Sequence, residues 1–456
     1  MLKNRSGEAT LAIVAILFFV VMLLLLTLMG VPLQFSTAIL GGVLVFIIAF
    51  VNTDLALIIL IFSMLLSPEF TSGEVPGRAI KVRIDDIFII VIFLGWIAKM
   101  AINKELGLMR STRLNTPIMV YIVICLLSSF VAMIEGRLNF RTSIFYLLKY
   151  IEYFMLFFLV ANNMKTVAQA KKYIFYLLLT CGIVSIYSLA SGAIGGRVSA
   201  PFESGGGGEP NTLAGYLMLM MALMMGFIFN SVPNNRRLML IGLLSVSAIA
   251  FLYTLSRSGW ISSFVAIAAF IVFNKKHRMI LIAVLMLVII LLPIFAPKQV
   301  QQRVNDTFTP FRTYKVMGGA VGIDESGTAR IDSWKIGFTR WLKKPVLGYG
   351  IPAGAVIDNQ YTRVLNETGL IGLGAFISIL MVIFSMAKNI YDSMKDDDFA
   401  QAVSVGLLAG FMGLLLFSAA AATFIIIRIM EPFWFLVAIV AVLPELERDE
   451  PGVEIV

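Results

Sequence analysis

The chain has 456 residues, of which 59% are hydrophobic and 14% are charged, and its net charge at pH 7 is +9. A soluble domain of this size cannot bury so much apolar surface, so the composition excludes the ordinary soluble classes of protein.

Long apolar stretches follow one another along nearly the whole chain. A stretch of about 20 apolar residues crosses a bilayer as a helix, and continuous stretches favour helices over a β-barrel. We therefore predict an all-α polytopic membrane protein with about 12–14 transmembrane helices. The predicted spans lie at 9–30, 33–50, 54–67, 86–102, 117–134, 144–160, 173–192, 211–229, 238–254, 259–273, 279–296, 366–388, 400–418 and 423–443.

Basic residues in the short loops predict the orientation, because positively charged loops stay in the cytoplasm. Lys3 and Arg5 precede the first predicted span, and most Lys and Arg residues of the short loops fall on their side. Both termini are therefore predicted to be cytoplasmic.

Two pairs of opposite charges lie three residues apart within predicted spans. They are Lys149 with Glu152, and Arg428 with Glu431. At this spacing the two side chains lie on one face of a helix and can form an ion pair. Charges inside a membrane also mark functional sites, so both interpretations stay open.

Two exterior connections stand out before the long loop. The segment 193–210 contains four consecutive glycines, which predict a flexible lid or entrance. In 254-TLSRSGW-260, Arg257 lies between Ser256 and Ser258, almost directly between two spans. We predict a tight exterior turn whose serines form hydrogen bonds and keep the turn hydrated.

The segment from Pro297 to Arg363 is long, basic and exterior in this orientation. A basic outer face invites an anionic partner, and phosphates or acidic sugars fit this place better than nucleic acid. The chain thus divides into an N-terminal transmembrane bundle (1–296), a long exterior, or periplasmic, loop with interfacial helices (297–365), and C-terminal transmembrane helices with a cytoplasmic tail (366–456).

The long loop is predicted to be partly helical. Ile331, Trp334, Phe338 and Trp341 recur at helical spacing, and tryptophans on such a face are typical of a helix at the lipid–water interface. Pro345 and the glycines that follow it are expected to stop this helix. Farther along, Asp358 or Asn359 is expected to cap the helix that enters the next span.

Residues that suit a metal site are scarce. The chain has one histidine, His277, in a cytoplasmic turn, and its two cysteines, Cys125 and Cys181, lie within spans. We therefore expect neither a metal nor a cofactor. The acidic run 396–398 is interpreted as a solvated turn.

Four segments, taken together, resemble the family of O-antigen ligases and Wzy-type polysaccharide polymerases. They are 210-PNTLAGYL-217, 255-LSRSGW-260, 328-TARIDSWKIGFTRWLKKPVLGYG-350 and 358-DNQYTRVLNETGLIGLG-374. The resemblance covers roughly residues 200–390; the first half matches only as a stack of helices with a basic segment at 78–86. It implies a GT-C-like, metal-independent glycosyltransferase of the bacterial cytoplasmic (inner) membrane. Such enzymes take a glycan from a polyprenyl diphosphate carrier on the outer face.

The resemblance also implies roles for three residues. Arg257 and Arg330 match the arginine positions of the family and are expected to stabilise the leaving diphosphate. Asp358 stands where the ligase branch has histidine, and its carboxylate is expected either to act as the base towards the acceptor hydroxyl or to orient that hydroxyl. That departure favours a polymerase over a ligase. Structural roles as a lipid anchor or a helix cap stay open for each of the three.

Further residues are candidates for substrate binding. They are Arg83, Lys149, Asn211, Asn359, Tyr361 and Arg428. The expected partners are a polyprenyl diphosphate-linked oligosaccharide, the lipid bilayer, and a chain-length regulator or flippase, with no nucleic acid. A ligase that uses a lipid-core or protein acceptor is the first alternative, and a lipid-glycan or small-anion transporter is the second.

Overall fold

A computed structural model describes residues 33–449 except 76–77, 103, 105–108, 193–195, 204–207, 232, 307–310, 317–318 and 355–356. The predicted span at 9–30 and most of the glycine run in 193–210 lie outside the described residues. Nearly all of the described chain is helical, which confirms the predicted all-α class.

The elements, in chain order, are α1 (Leu33–Val51), α2 (Thr53–Leu66), β1 (Glu69–Val75), β2 (Arg78–Arg83), α3 (Ile84–Ile102), α4 (Asn115–Ile134), α5 (Phe140–Asn163), α6 (Val167–Gly192), α7 (Pro210–Asn230), α8 (Asn234–Tyr253), α9 (Arg257–Phe273), α10 (Arg278–Phe295), α11 (Lys298–Asn305), β3 (Arg312–Val316), β4 (Gly319–Ile323), α12 (Glu325–Trp341), α13 (Gln360–Ser393), α14 (Asp398–Ala420) and α15 (Ile427–Asp449). Each strand pair, β1–β2 and β3–β4, is an antiparallel hairpin. Short 3-10 helices lie at Lys275–His277 and Thr423–Ile425.

The helices account for every predicted span from residue 33 onwards. Among the described residues, eight helices are long and apolar enough to cross a membrane, so the chain is a multi-pass membrane protein. Helices α1, α2, α3, α9 and α10 coincide with further predicted spans. The predicted short span at 54–67 is the 14-residue helix α2.

Contacts between residues near the helix ends define two ends of the bundle. At one end, Lys172 Nζ lies 2.8 Å from Asp54 Oδ2, and the Tyr391 hydroxyl donates to the carbonyl of Phe273 at 2.8 Å. At the other end, the β1–β2 hairpin and the longer connections meet. We call that end the loop face; it comprises the described residues within 69–83, 196–209, 296–359 and 421–426.

Helices α7, α14 and α15 form the centre of the bundle. In their apolar windows 83%, 78% and 83% of residues are buried, against 17% in α8, which therefore lies at the periphery. Small residues permit the close approach of α7 and α14. A Cβ on Gly226 would lie 2.2 Å from the Ala402 carbonyl oxygen, so the two backbones are in direct contact there.

The long loop packs onto the bundle through a break in α13. Gly369 has φ 65° and interrupts that helix, and a Cβ on it would lie 2.1 Å from the carbonyl oxygen of Val346. Across the break, Tyr349 N donates to the Asn366 carbonyl at 2.8 Å. The loop helix predicted at 330–341 is α12, which ends at Trp341, and Asn366 Nδ2 of α13 donates to its Gly337 carbonyl at 2.5 Å.

Candidate active site on the loop face

The turn between α8 and α9 places Arg257 at the first position of α9. Ser256 is the N-cap: its Oγ accepts from Gly259 N at 3.3 Å and donates to Asn211 Oδ1 at 2.7 Å. The tight turn was predicted correctly. The predicted hydration of its serines was wrong, since Ser256 and Ser258 are only 1% and 6% exposed. They satisfy buried polar groups and fix the turn against α7.

Arg257 connects this turn to the loop helix α12. Its Nη2 donates to Asp324 Oδ2, and Asp324 is the N-cap of α12, where Oδ1 accepts from Gly327 N at 3.3 Å. Burial opposes ionisation of Asp324, but the Arg257 guanidinium holds the pKa of this carboxyl below its ordinary value. This ion pair connects the turn to α12, the helix that carries Arg330.

Four arginines converge at this turn. Arg197 Nε donates to the Thr254 carbonyl at 3.0 Å, and Arg303 Nε donates to the Leu255 carbonyl at 3.4 Å. Burial, followed by repulsion from Arg257, lowers the pKa of Arg330; burial and repulsion from its neighbours likewise lower the pKa of Arg197. We call Arg197, Arg257, Arg303 and Arg330 the arginine cluster. An anion that bridges them would relieve this repulsion.

A cavity of about 240 Å³ opens on the loop face. Its wall combines the β1–β2 hairpin, α5, α7, α13, α15 and the segment before α7. The residues that line it are Glu69, Arg83, Phe145, Tyr146, Lys149, Tyr150, Glu203, Glu209, Thr212, Arg363, Ile425, Ile426, Ile427 and Arg428. Three predicted binding residues, Arg83, Lys149 and Arg428, therefore share one cavity.

Arg428 is buried in the cavity wall. Its Nη1 donates to the carbonyls of Leu65 at 3.0 Å and Pro201 at 2.8 Å, and its Nη2 lies 3.3 Å from Glu69 Oε1. Its ion-pair partner is thus Glu69 of the hairpin, which corrects the suggested pair with Glu431. The hairpin, the segment before α7 and α15 are joined through this one guanidinium.

Lys149 forms the expected pair with Glu152, at 3.5 Å, and a closer one with Asp86. Arg83 pairs with Asp85 in the same way. Each cation is thus neutralised by a carboxylate on the membrane side of the cavity, as buried charges require.

Arg363 was not singled out from the sequence as a site residue. Its Nε donates to Glu367 Oε1 at 2.9 Å and to the Tyr150 hydroxyl at 3.2 Å. The i,i+4 spacing of Arg363 and Glu367 was the available sequence signal.

Glu203 was also missed from the sequence. It lines the cavity, and its Oε2 accepts from the backbone N–H of Glu209. Burial raises the pKa of Glu203 to about 7. The sequence carried no signal for it; in the structure Gly208 has φ 57°, and a Cβ on it would lie 2.7 Å from Glu203 Oε2.

The remaining predicted residues lie near the site but outside the cavity wall. Asn359 caps α13 by accepting from Thr362 N at 2.9 Å, and the Tyr361 hydroxyl donates to the Leu415 carbonyl at 2.8 Å. Asp358 is exposed, its N–H donates to Ser333 Oγ at 3.0 Å, and its charge acts on Arg330. It therefore lies with the arginine cluster.

Short pieces of chain join the cluster and the cavity. Asn211 accepts from Ser256, beside Arg257, while the next residue, Thr212, lines the cavity. The six-residue step from Arg197 to Glu203 spans at most about 20 Å even when fully extended. Within the described part of the chain, no group of three or more His, Cys, Asp or Glu residues is arranged to hold a metal ion.

Residues 242–377 match the family model described as O-antigen ligase. The matched segment runs from α8 into α13 and contains Arg257, Arg303, Arg330 and Asp358. The resemblance seen in the sequence is confirmed over this segment. No curated protein matches the chain significantly.

Proposed function

We propose that this protein is a polysaccharide polymerase. It transfers a glycan from a polyprenyl diphosphate carrier onto a lipid-linked repeat unit, on the outer face of the bacterial cytoplasmic membrane. The observation that carries the proposal is the arginine cluster, set beside a cavity that contains carboxylates and aromatic rings. In this orientation the loop face is the exterior face, and both termini are cytoplasmic.

The arginine cluster suits the leaving group of this reaction. As the glycan departs, negative charge grows on the diphosphate oxygen, and guanidinium groups grip phosphate bidentately. Arg257 and Arg330 bind the diphosphate, while Arg197 and Arg303 add positive charge at the same turn. The N-terminus of α9, which begins at Arg257, presents backbone N–H groups to the same anion.

The cavity suits the acceptor sugar. Phe145 and Tyr146 offer apolar ring surfaces, and Glu209 and Thr212 offer hydrogen-bonding groups to hydroxyls. The cations Arg83, Lys149 and Arg428 bind acidic substituents of the glycan or fix the carboxylates around it. Asn211 and Asn359 support the site by holding the Arg257 turn and the start of α13.

Two alternatives have their own support. The matched family model is described as O-antigen ligase, which favours transfer to a lipid-core or protein acceptor; Asp358 in place of the ligase histidine favours the polymerase. The charges behind the cavity, Lys149 with Asp86 and Glu152, are of a kind found in transporters. A chain-length regulator or flippase would be the cellular partner of a polymerase.

Reconstitution tests the proposal. Purified protein is mixed with one synthetic polyprenyl diphosphate oligosaccharide and EDTA, and products are separated on gels and weighed by mass spectrometry. A ladder spaced by one repeat is the expected result. Transfer that appears only after a lipid-core or protein acceptor is added would make the protein a ligase. Glycan or anion flux into vesicles, with no transfer to any acceptor, would replace the proposal with the transporter.

A further inference from the structure

Glu203 is unusual among the carboxylates of the cavity. Among the described residues, the hydrogen bond that its side chain accepts comes from the backbone N–H of Glu209. Glu69 instead binds Arg428, and Glu209 Oε2 accepts from Thr212 Oγ1 at 3.2 Å. Glu367, behind the wall, is bound by Arg363 and Tyr150. Glu203 is therefore a cavity carboxylate with accepting capacity left for a ligand hydroxyl.

The surroundings hold Glu203 in place. Two residues earlier, the carbonyl of Pro201 accepts from Arg428 Nη1 at 2.8 Å, which fixes the chain on that side. On the other side, the N–H of Glu209 donates to the carboxylate, and Gly208 before it has the left-handed backbone that glycine adopts readily. A base must lie within hydrogen-bonding reach of the proton it removes, so this fixed position matters.

The charged groups around Glu203 come from every wall of the cavity. They are Glu69 and Arg83 of the hairpin, Lys149 of α5, Glu209, Arg363 of α13 and Arg428 of α15. Burial, together with repulsion from the carboxylates of Glu69 and Glu209, raises the pKa of Glu203 to about 7, although the hydrogen bond from Glu209 N and the charge of Arg428 oppose the rise. A base with a pKa near the working pH combines a usable ionised fraction with real affinity for the proton.

We propose that Glu203 is the general base of the glycan transfer, a role that rests on the function proposed above. The acceptor hydroxyl gives its proton to the Glu203 carboxylate as its oxygen forms a bond to the anomeric carbon of the donor. The bond from that carbon to the diphosphate oxygen breaks, and its electron pair leaves with the diphosphate. Asp358, whose charge acts on Arg330, then lies on the side of the leaving diphosphate and orients that arginine.

The test is a pH–rate profile of the reconstituted enzyme for wild type, Glu203→Gln and Asp358→Asn. Wild type should lose about tenfold in kcat between pH 8 and pH 6, and Glu203→Gln should lower kcat at pH 8 by about 10²–10⁴-fold. The profile of Glu203→Gln should also lack the acid limb, while Asp358→Asn should keep it. Glu135→Gln, the same change at an exposed carboxylate between α4 and α5, should leave rate and profile unchanged.

A chemical rescue separates a base from a structural residue. Formate should restore part of the rate of Glu203→Ala but none of the rate of Arg257→Ala, because only the former lacks a carboxylate. If Glu203→Gln fails to accumulate, Glu203→Asp replaces it in the test. This variant keeps a carboxylate, so it should have a lower kcat and should retain the acid limb.

The outcomes distinguish the two proposals. An active wild type whose Glu203→Gln variant keeps its rate and acid limb overturns the base assignment alone. Loss of the acid limb in Asp358→Asn would assign the base to Asp358. A wild type with no transfer to any acceptor overturns the proposed function itself.

Discussion

Replacing Arg257 by alanine removes the one guanidinium that both faces the proposed diphosphate site and holds the loop helix. Its partner, Asp324, keeps its cap on Gly327 without it, so α12 itself remains formed. The pair is partly buried, with side chains 13% and 19% exposed. Losing a charge-assisted hydrogen bond of this kind costs about 1.5–3 kcal/mol, which a bundle with this extensive a core tolerates.

The expected catalytic loss is larger. Removing one donor to a developing oxyanion typically costs about 10²–10³-fold in kcat, equivalent to ~3–4 kcal/mol. Three arginines of the cluster remain, so the loss should fall in this range rather than abolish every trace of transfer. Arg257→Lys should recover only part of it, because lysine keeps the charge but lacks the bidentate fork.

The assay is the rate of ladder formation from the synthetic donor, normalised to folded protein measured by size-exclusion chromatography. Asp324→Asn is the matched control for the structural part of the effect: asparagine is an equally good cap, but it releases Arg257 from its ion pair. We expect this variant to keep a kcat close to that of wild type. Wild-type kcat in Arg257→Ala, or equal losses in Arg257→Ala and Asp324→Asn, would refute the assignment of Arg257 to the diphosphate.

Three further predictions follow from the same geometry. Arg330→Ala should lower kcat by about 10²–10³-fold in the ladder assay, whereas alanine at the exposed loop residue Lys343 should not, and equal effects would remove Arg330 from the site. Gly226→Ala should cost about 1–3 kcal/mol or more, because its Cβ meets the carbonyl of Ala402. The Gly226→Ala variant should therefore have a lower yield and a lower melting temperature than wild type. In the control variant Gly242→Ala, the added Cβ meets nothing within 4 Å, so this variant should match wild type. The reverse result would contradict the packing of α7 on α14. The pKa of about 7 for Glu203, raised from 4.5, means that folding favours the protonated carboxyl. The stability that this protonated carboxyl contributes is complete below about pH 4.5 and is lost as the pH rises through 7. Glu203→Gln should therefore flatten the dependence of the melting temperature on pH between about 4.5 and 7. An unchanged dependence would count against the raised pKa of Glu203.

The membrane helices could be predicted from the sequence because the signal is local. A continuous apolar stretch must form its own backbone hydrogen bonds in lipid, whatever its neighbours are. The spans from residue 33 onwards were therefore placed within a few residues of the helix bounds, including the short α2. The long loop was harder, yet the spacing from Ile331 to Trp341 and the cap at Asn359 are equally local signals and gave α12 and the start of α13.

The cavity could not be predicted, because its walls come from five separate parts of the chain. The spacing of Arg428 and Glu431 concerns one helix only, and the true partner, Glu69, lies in a hairpin more than 350 residues away. The hydration expected for Ser256 was wrong for a related reason, since its burial depends on packing against Asn211 of α7. Glu203 lay in a segment whose glycines indicated flexibility and gave no sign of a fixed carboxylate.

The position of the arginine cluster bears on the kind of acceptor. The cluster lies at the helix ends of the loop face, and α12 leaves Trp334 and Phe338 exposed, four residues apart on one apolar face suited to the lipid surface. The function proposed above requires the diphosphate of a lipid-anchored donor at this same depth. The six-residue step of chain from Arg197 to Glu203 keeps these residues of the cluster and the cavity within about 20 Å of each other. We therefore favour an acceptor whose carrier also stays in the bilayer, which is the arrangement that the proposed polymerase requires.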